Sequence, residues 1–436
     1  LAGFVLAIGM AIDANVLVFE RAREEYAAAP ASGTRRALST GFDKAFSAIA
    51  DSNITTLLAA GLLFFFASGP VRGFGVTLSI GVLASLVSAL LLTRVLADLG
   101  MSRPAIADRP GLTGLGATGR VRDWLDRRDL DLMKWRRLWL AISGLAVVLA
   151  VTGVVTRGLD YGVEFTGGRL VEYSTSRPLQ VDEARDAVAG AGFPRAVVQT
   201  SGHDDISVRT EKLTNEEERH VRDALAAKGG EVTKQRDELV GPSLGDELRT
   251  KALIALAVAL LAQLAYLAIR FRWTFGAGAV LAMFHDVLIV TGVFAWLGKP
   301  IDGVFLAALL TVVGYSVNDA VVVFDRIREL WGASPQARFA RIANRAVLQT
   351  VPRTVNTGIG AVFILAALAL LGGDSLTDFA IALLIGIAVG TWSSVFTATP
   401  LAIVFESRNS AAPPRSKRRK PPVRPRRQPA DSGAVL

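Results

Sequence analysis

Four ionisable side chains stand inside long apolar runs: Asp13, Asp286, Asp319 and Arg353. On insertion scales a charge held at bilayer depth costs about 2.5–3.5 kcal/mol, so each needs a partner, a route to water or a task. Asp13 precedes the charged pair Glu20-Arg21 by seven residues, roughly 10 Å along a helix. Asp319 precedes Asp325-Arg326 by a similar distance, and Arg353 follows Arg345 by roughly 12 Å on a helix running the other way. All three fall in one layer. Two carboxylates and a guanidinium at one depth can take up and release a proton as their spacing changes, which would make them a proton relay. The plainer alternative is a fixed salt bridge that orders a helical bundle.

Other polar groups in the apolar runs carry two readings each. Asp286, beside His285, sits deep in its run, and Asp51 sits near the cytoplasmic third. Each is either a relay member or a buried structural group. Asn15, Asn318 and Asn356 suit helix-to-helix hydrogen bonds as well as they suit a relay.

Covalent chemistry finds no support. The chain has no cysteine and three histidines, none at ligand spacing, so no metal is expected. Gly114 to Gly119 is formally GxGxxG, yet no strand precedes it and no acidic partner follows at the right distance, so it reads as a loop. No catalytic triad or phosphate loop is present. The chain reads as no enzyme, with no cofactor and a proton gradient as its energy source.

The elements that must position these groups follow from hydropathy. Half of the 436 residues are hydrophobic (51%), and a spanning helix needs about 20 apolar residues. About nine runs qualify: 1–19, 47–67, 74–98, 138–156, 251–270, 274–297, 303–325, 345–371 and 377–405. The net charge of +9 is concentrated in alternate short loops and in the tail from Arg408 to Arg427. That distribution orients a multi-pass protein in a plasma membrane with a cytoplasmic C-terminus, and argues against nucleic acid as a partner. Leu1 opens directly into an apolar run, as a piece beginning inside a helix of a longer protein would.

Residues 157–250 form the one large hydrophilic insert, placed outside. Their pattern predicts strand 168–175, helix 181–190, strands 196–201 and 205–210, helix 215–228 and strand 233–240. This order suggests a small α+β ferredoxin-like domain. Phe165-Thr166-Gly167-Gly168 would form its base, the glycines permitting a positive-φ turn into the first strand. The resulting division is 1–98 and 251–405 in the membrane, a cytoplasmic linker at 99–137, a further span at 138–156, the insert, and a disordered basic tail at 406–436 that would touch anionic lipid.

An internal repeat ties the halves together. Gly9 to Glu24 aligns without gaps with Gly314 to Glu329, both passing through Val-Phe-acid-Arg, and the same offset pairs Phe74 with Phe379 and Gly81 with Gly386. Two helix triplets of parallel direction imply a pseudo-twofold axis along the membrane normal, with the working groups at the interface.

These residues resemble the SecD/SecF protein-export membrane protein family, within the resistance-nodulation-division superfamily. Gly9 to Glu24 and Gly69 to Phe74 are similar to the C-terminal helices of SecD. Asp160 to Gly168, Gly314 to Glu329, and Arg353-Thr354 are similar to SecF. The resemblance covers 1–98 and 138–405, the C-terminal part of SecD fused to SecF. It implies an accessory subunit of the Sec translocase that uses the proton motive force to complete export. The partners it implies are the SecYEG translocon, YidC/YajC-type subunits and an unfolded preprotein, with Asp13, Asp319 and Arg353 as proton-pathway residues. Two positions depart from the family pattern: Glu164 where Asp is usual, and Pro352 where Ser is common, which would bend its helix. The first three SecD helices and its large external domain are missing. The competing readings are a small-molecule or lipid exporter of the same superfamily, and a passive membrane scaffold.

Overall fold

The computed structural model describes residues 2–66, 69–116, 120–128, 130–194, 196–201, 205–210, 212–371 and 374–409. Nearly all of the basic tail, with its expected lipid contact, and part of the 114–119 glycine loop lie outside the described residues.

The apolar runs fold as helices because only a helix satisfies its own backbone in lipid. Helix α1 (Ala2–Ala28) leads through a short 3-10 turn into α2 (Thr34–Phe66) and then α3 (Gly69–Val87). A π turn at Ser88–Leu92 joins α3 to α4 (Thr93–Met101), followed by α5 (Pro104–Ala107), α6 (Arg120–Arg128) and α7 (Arg136–Arg157). After the insert come α11 (Pro242–Arg270), α12 (Trp273–Leu297), α13 (Gly303–Ala333), α14 (Phe339–Leu371) and α15 (Asp374–Ser393). A second π turn, Ser394–Ala398, leads into α16 (Thr399–Ser407).

Among the described residues, eight stretches are long and apolar enough to cross a membrane. The ninth expected run is the first part of α1, which is not one of these eight and packs along α2, α3 and α14. The helices outrun their apolar segments. Residues 20–44, between the first two apolar runs, are mostly helical, with ion pairs such as Arg23–Glu20 along α1 and Lys44–Glu25 between α1 and α2 beyond the apolar boundary. The expected linker at 99–137 likewise holds two short helices. Helix α14 runs unbroken through Pro352.

Burial ranks the helices. The apolar window of α13 is 89% buried, whereas that of α7 is 17% buried. Helix α13 is thus the axis of the bundle, and α7 presents its apolar surface outward.

The repeat survives as packing. Phe74 and Phe379 meet edge to face across the halves, with centroids 5.4 Å apart. A Cβ at Gly81 would collide with Ala7, and one at Gly386 with Val312, so the α1–α3 and α13–α15 crossings are equivalent close contacts. The two π turns also fall at nearly matching positions.

The insert opens with a short helix, α8 (Val163–Thr166), then β1 (Gly168–Thr175), α9 (Val181–Gly190), β2 (Val197–Ser201), β3 (Asp205–Thr210), α10 (Asn215–Gly229) and β4 (Val232–Val240). The sheet order is β2-β3-β1-β4, with every neighbouring pair antiparallel. This is the split β-α-β arrangement expected of a ferredoxin-like unit. Val171, Tyr173, Ile206 and Val208 alternate inward beneath Val188 of α9 and Leu225 of α10. Thr214 and Glu217 close a capping box at the start of α10.

Candidate functional site

Asp13 of α1, Asp319 of α13 and Arg353 of α14 come together as the helix-rise argument predicts, each less than 5% exposed. Arg353 Nη2 donates to both oxygens of Asp13 at 2.7 Å. Its Nη1 ends 3.6 Å from Asp319 Oδ1, an ion pair beyond hydrogen-bond length. Neither Nη1 nor Nε has a hydrogen-bond partner. The arginine therefore bridges two acids unequally.

Asp13 has further donors. Asn318 Nδ2 donates to Oδ2 at 2.6 Å, and Thr357 Oγ1 donates to Oδ1 at 2.8 Å. Thr357 was not singled out from the sequence. It lies one turn beyond Arg353, so a polar residue four positions after a buried arginine was the available signal.

Two small cavities reach the cluster. One of about 30 Å³, lined by Leu6, Met10, Thr311, Asn318 and Ile364, lies toward the insert. The other, about 10 Å³, is lined by Asp13, Leu17, Asn53 and Arg353. Both share Met10, Thr56 and Asn318. A water needs about 10–15 Å³ and polar partners, so the first cavity, lined mainly by apolar groups, favours none, and the second, lined by Asp13, Asn53 and Arg353, is at the size limit. The cluster is almost dry.

The other singled-out residues lie elsewhere. Asp286 of α12 accepts from Ser316 Oγ at 2.6 Å and Ser393 Oγ at 2.7 Å, while its other oxygen meets His285 Nδ1 at 2.8 Å. Both carboxylate oxygens are engaged, but His285 Nε2 is buried without a partner. Asp51 of α2 binds Tyr266 at 2.9 Å and Arg270 at 2.7 Å, both on α11, and so ties two helices rather than joining the cluster. Asn15 keeps a buried amide oxygen with no hydrogen-bond partner. Asn356 is exposed. Among the described residues, no group of three His, Asp or Glu side chains is arranged to hold a metal ion.

The expected base of the insert forms a joint. Gly167 and Gly168 have φ of 74° and 120°, the left-handed side that favours glycine. Gly245 of α11 packs so closely on this turn that a Cβ would meet Gly167 N at 2.7 Å. Phe165 is buried against the helical core, and the Thr166 hydroxyl donates to Gly162 O at 3.2 Å. Glu164 reaches across to accept from Gly303 N at 2.6 Å, at the first turn of α13. A backbone bond from Ile301 N to Asp160 O, 2.7 Å, seals the same junction. Burial, and then the neighbouring Asp302, push the Glu164 carboxyl up to about 7. Glu164 thus caps the helix that carries Asp319, a role the sequence did not reveal.

Residues 1–101 and 220–408 match the family described as protein export membrane protein SecD/SecF, C-terminal, and residues 152–178 match the SecD/SecF GG motif. The chain is 38% identical to the protein translocase subunit SecDF of Thermus thermophilus, over 92% of this chain and 53% of that one. It is 37% identical to the protein translocase subunit SecF of Vibrio alginolyticus, over 63% of this chain and 90% of that one. It superposes with a TM-score of 0.83 on the crystal structure of SecDF, a translocon-associated membrane protein, from Thermus thermophilus. That match is at 37% identity and covers 93% of this chain and 54% of the other. Against SecDF in a super-membrane-facing form, with the same identity and coverage, the TM-score is 0.71. The chain spans about half the length of the SecDF relatives it matches.

Proposed function

This chain belongs to the SecD/SecF protein-export membrane protein family, and from that premise we propose that it is part of an accessory subunit of the Sec translocase, driven by the proton motive force. The observation that carries the reading is the buried bridge of Asp13, Arg353 and Asp319 between helices of two repeats. Its energy source is the proton gradient, no cofactor takes part, and its activity is transport work rather than covalent chemistry.

Asp13 is held by Arg353, Asn318 and Thr357, whereas Asp319 has Arg353 at a longer distance. Asp319 is therefore the carboxylate that binds and releases the proton, and Asp13 is the fixed counter-charge. Neutralising Asp319 frees Arg353 to turn fully to Asp13, which changes the attraction between α13 and α1. A membrane potential contributes about 2.3 kcal/mol per charge per 100 mV, enough to bias such a two-state contact. The two solved SecDF forms, which fit this chain to different degrees, support a family with more than one arrangement.

In this reading the basic ends of α1 and α13 face the cytoplasm and the insert faces outward, above a bacterial plasma membrane. The insert, joined to α13 through Glu164, carries the motion to an emerging unfolded preprotein. The partners are the SecYEG translocon and YidC/YajC-type subunits, with the basic tail against anionic lipid. The test is preprotein export into inverted vesicles containing the complete protein. Asp319→Asn should abolish the part that depends on the proton gradient and leave the ATP-driven part. Full gradient-dependent export by that variant would return the protein to the scaffold reading.

A further inference from the structure

The charged ends of α1 and α13 meet in a closed ring. Arg21 Nη1 lies 3.1 Å from Glu24 Oε2 and 3.1 Å from Glu329 Oε2. Arg326 Nη1 lies 2.8 Å from Glu329 Oε2, and its Nη2 lies 3.1 Å from Glu24 Oε2. The offset that relates the two repeats carries Arg21 onto Arg326 and Glu24 onto Glu329. Each arginine thus binds the acid of its own helix and the equivalent acid of the other. The contact is the repeat meeting itself across the pseudo-twofold axis.

Position gives the ring a task. Arg21 is one helical turn beyond Leu17, a lining residue of the small cavity beside Asp13. The small polar cavity beside Asp13 thus lies on the side of the ring, which forms its floor away from the insert. Arg122 of α6 reaches Glu24 at 3.1 Å, and Arg326 Nε donates to Gln349 of α14 at 2.7 Å, so the ring is braced from the linker and from the helix of Arg353. Its burial is intermediate. The side chains of Arg21 and Arg326 are 9% and 10% exposed, but that of Glu329 is 43% exposed. Water reaches one corner, so the ring can open without leaving a charge stranded in a dry interior.

We propose that Arg21, Glu24, Arg326 and Glu329 form a charge latch between the repeats, whose opening connects the Asp13–Asp319–Arg353 site to the basic face. The latch rests on the reading of that cluster as the proton site, and its test separates the two. Ala28 and Ala333 are the last residues of α1 and α13 and are equivalent in the repeat. In the complete protein reconstituted in vesicles, spin labels at Ala28→Cys and Ala333→Cys report the gap between the helix ends. Glu24→Gln with Glu329→Gln should shift the distance distribution to longer values and raise passive proton entry about tenfold, as a tenfold change in a two-state population requires. Inverting all four charges (Arg21→Glu, Glu24→Arg, Arg326→Glu, Glu329→Arg) should return the short distance, which a misfolded protein would not do. Adding Asp319→Asn to the open variant should stop the leak. A longer distance with a leak indifferent to Asp319→Asn supports the latch and overturns the role of Asp319. An unchanged distance, or a longer one without a leak, overturns the latch.

Discussion

Asp13 and Asn318 occupy equivalent positions in the two repeats and are hydrogen-bonded to each other at 2.6 Å. The repeat therefore does not place its acids symmetrically. Asp319 is equivalent to Ala14, and Arg353 to Ala48, so a single arginine serves two acids that lie one residue out of step. Symmetry builds the interface, and its local breaking makes one acid a well-held anion and the other a loosely held one.

The first consequence concerns the arginine. Arg353→Ala leaves two carboxylates in the bundle without their counter-charge, a loss of about 3–5 kcal/mol by analogy with broken buried pairs. Thermal unfolding in detergent should show a large drop, and adding Asp13→Asn should recover part of it. If the double variant is no more stable than Arg353→Ala alone, Arg353 is not there to balance Asp13.

The donors on Asp13 are next. Asn318→Ala and Thr357→Val each remove a hydrogen bond to a charged group, worth about 1.5–3 kcal/mol. In a double-variant cycle with Asp13→Asn, most of either loss should vanish, because the partner charge has gone. Strict additivity would show that these contacts are incidental.

Asp286 gives a contrasting expectation. Its two serine donors and His285 satisfy the carboxylate inside one repeat. Asp286→Asn should lower thermal stability yet keep gradient-dependent export. An export defect as deep as that of Asp319→Asn, in protein of normal stability, would make Asp286 a relay member.

The joint beneath the insert has a pH signature. Folded Glu164 keeps its proton up to about pH 7, against an ordinary value of 4.5, with Asp302, Glu238 and Arg236 around it. Between those values the folded chain holds a proton that the unfolded chain has released, so stability falls as pH rises. The contribution is complete below about 4.5 and lost as pH climbs through about 7. Glu164→Gln mimics the protonated form and should flatten that part of the melting curve, the two proteins matching at low pH and the variant melting higher at pH 8. Parallel curves across the range would remove Glu164 from the account.

What the sequence disclosed depended on contrast. Asp13, Asp319 and Arg353 were visible because charge in an apolar run is conspicuous, and helix rise alone put them in one layer. The latch was invisible for the opposite reason. Arg21 and Arg326 sit where basic residues are expected at a membrane face, so orientation already accounted for them. Asp51 stands out as ionisable, yet its partner Arg270 sits at a helix end where basic residues serve orientation, and only the packing of α2 on α11 brings them to 2.7 Å. Thr357 carried no contrast, since threonine is common in membrane helices. The order of the insert's elements followed from alternation and caps, while the cap that Glu164 places on α13 spans 139 positions of sequence and left no local trace.

The decisive measurement is the infrared absorption of protonated carboxyl groups in the complete protein in membranes, followed across pH with Glu164→Gln as the common background so that the Glu164 carboxyl does not contribute. A buried carboxyl band should titrate in that protein, disappear when Asp319→Asn is added and persist when Asp286→Asn is added instead. A titrating band that survives Asp319→Asn unchanged would place the exchanging proton on another group and remove Asp319 from the proton path.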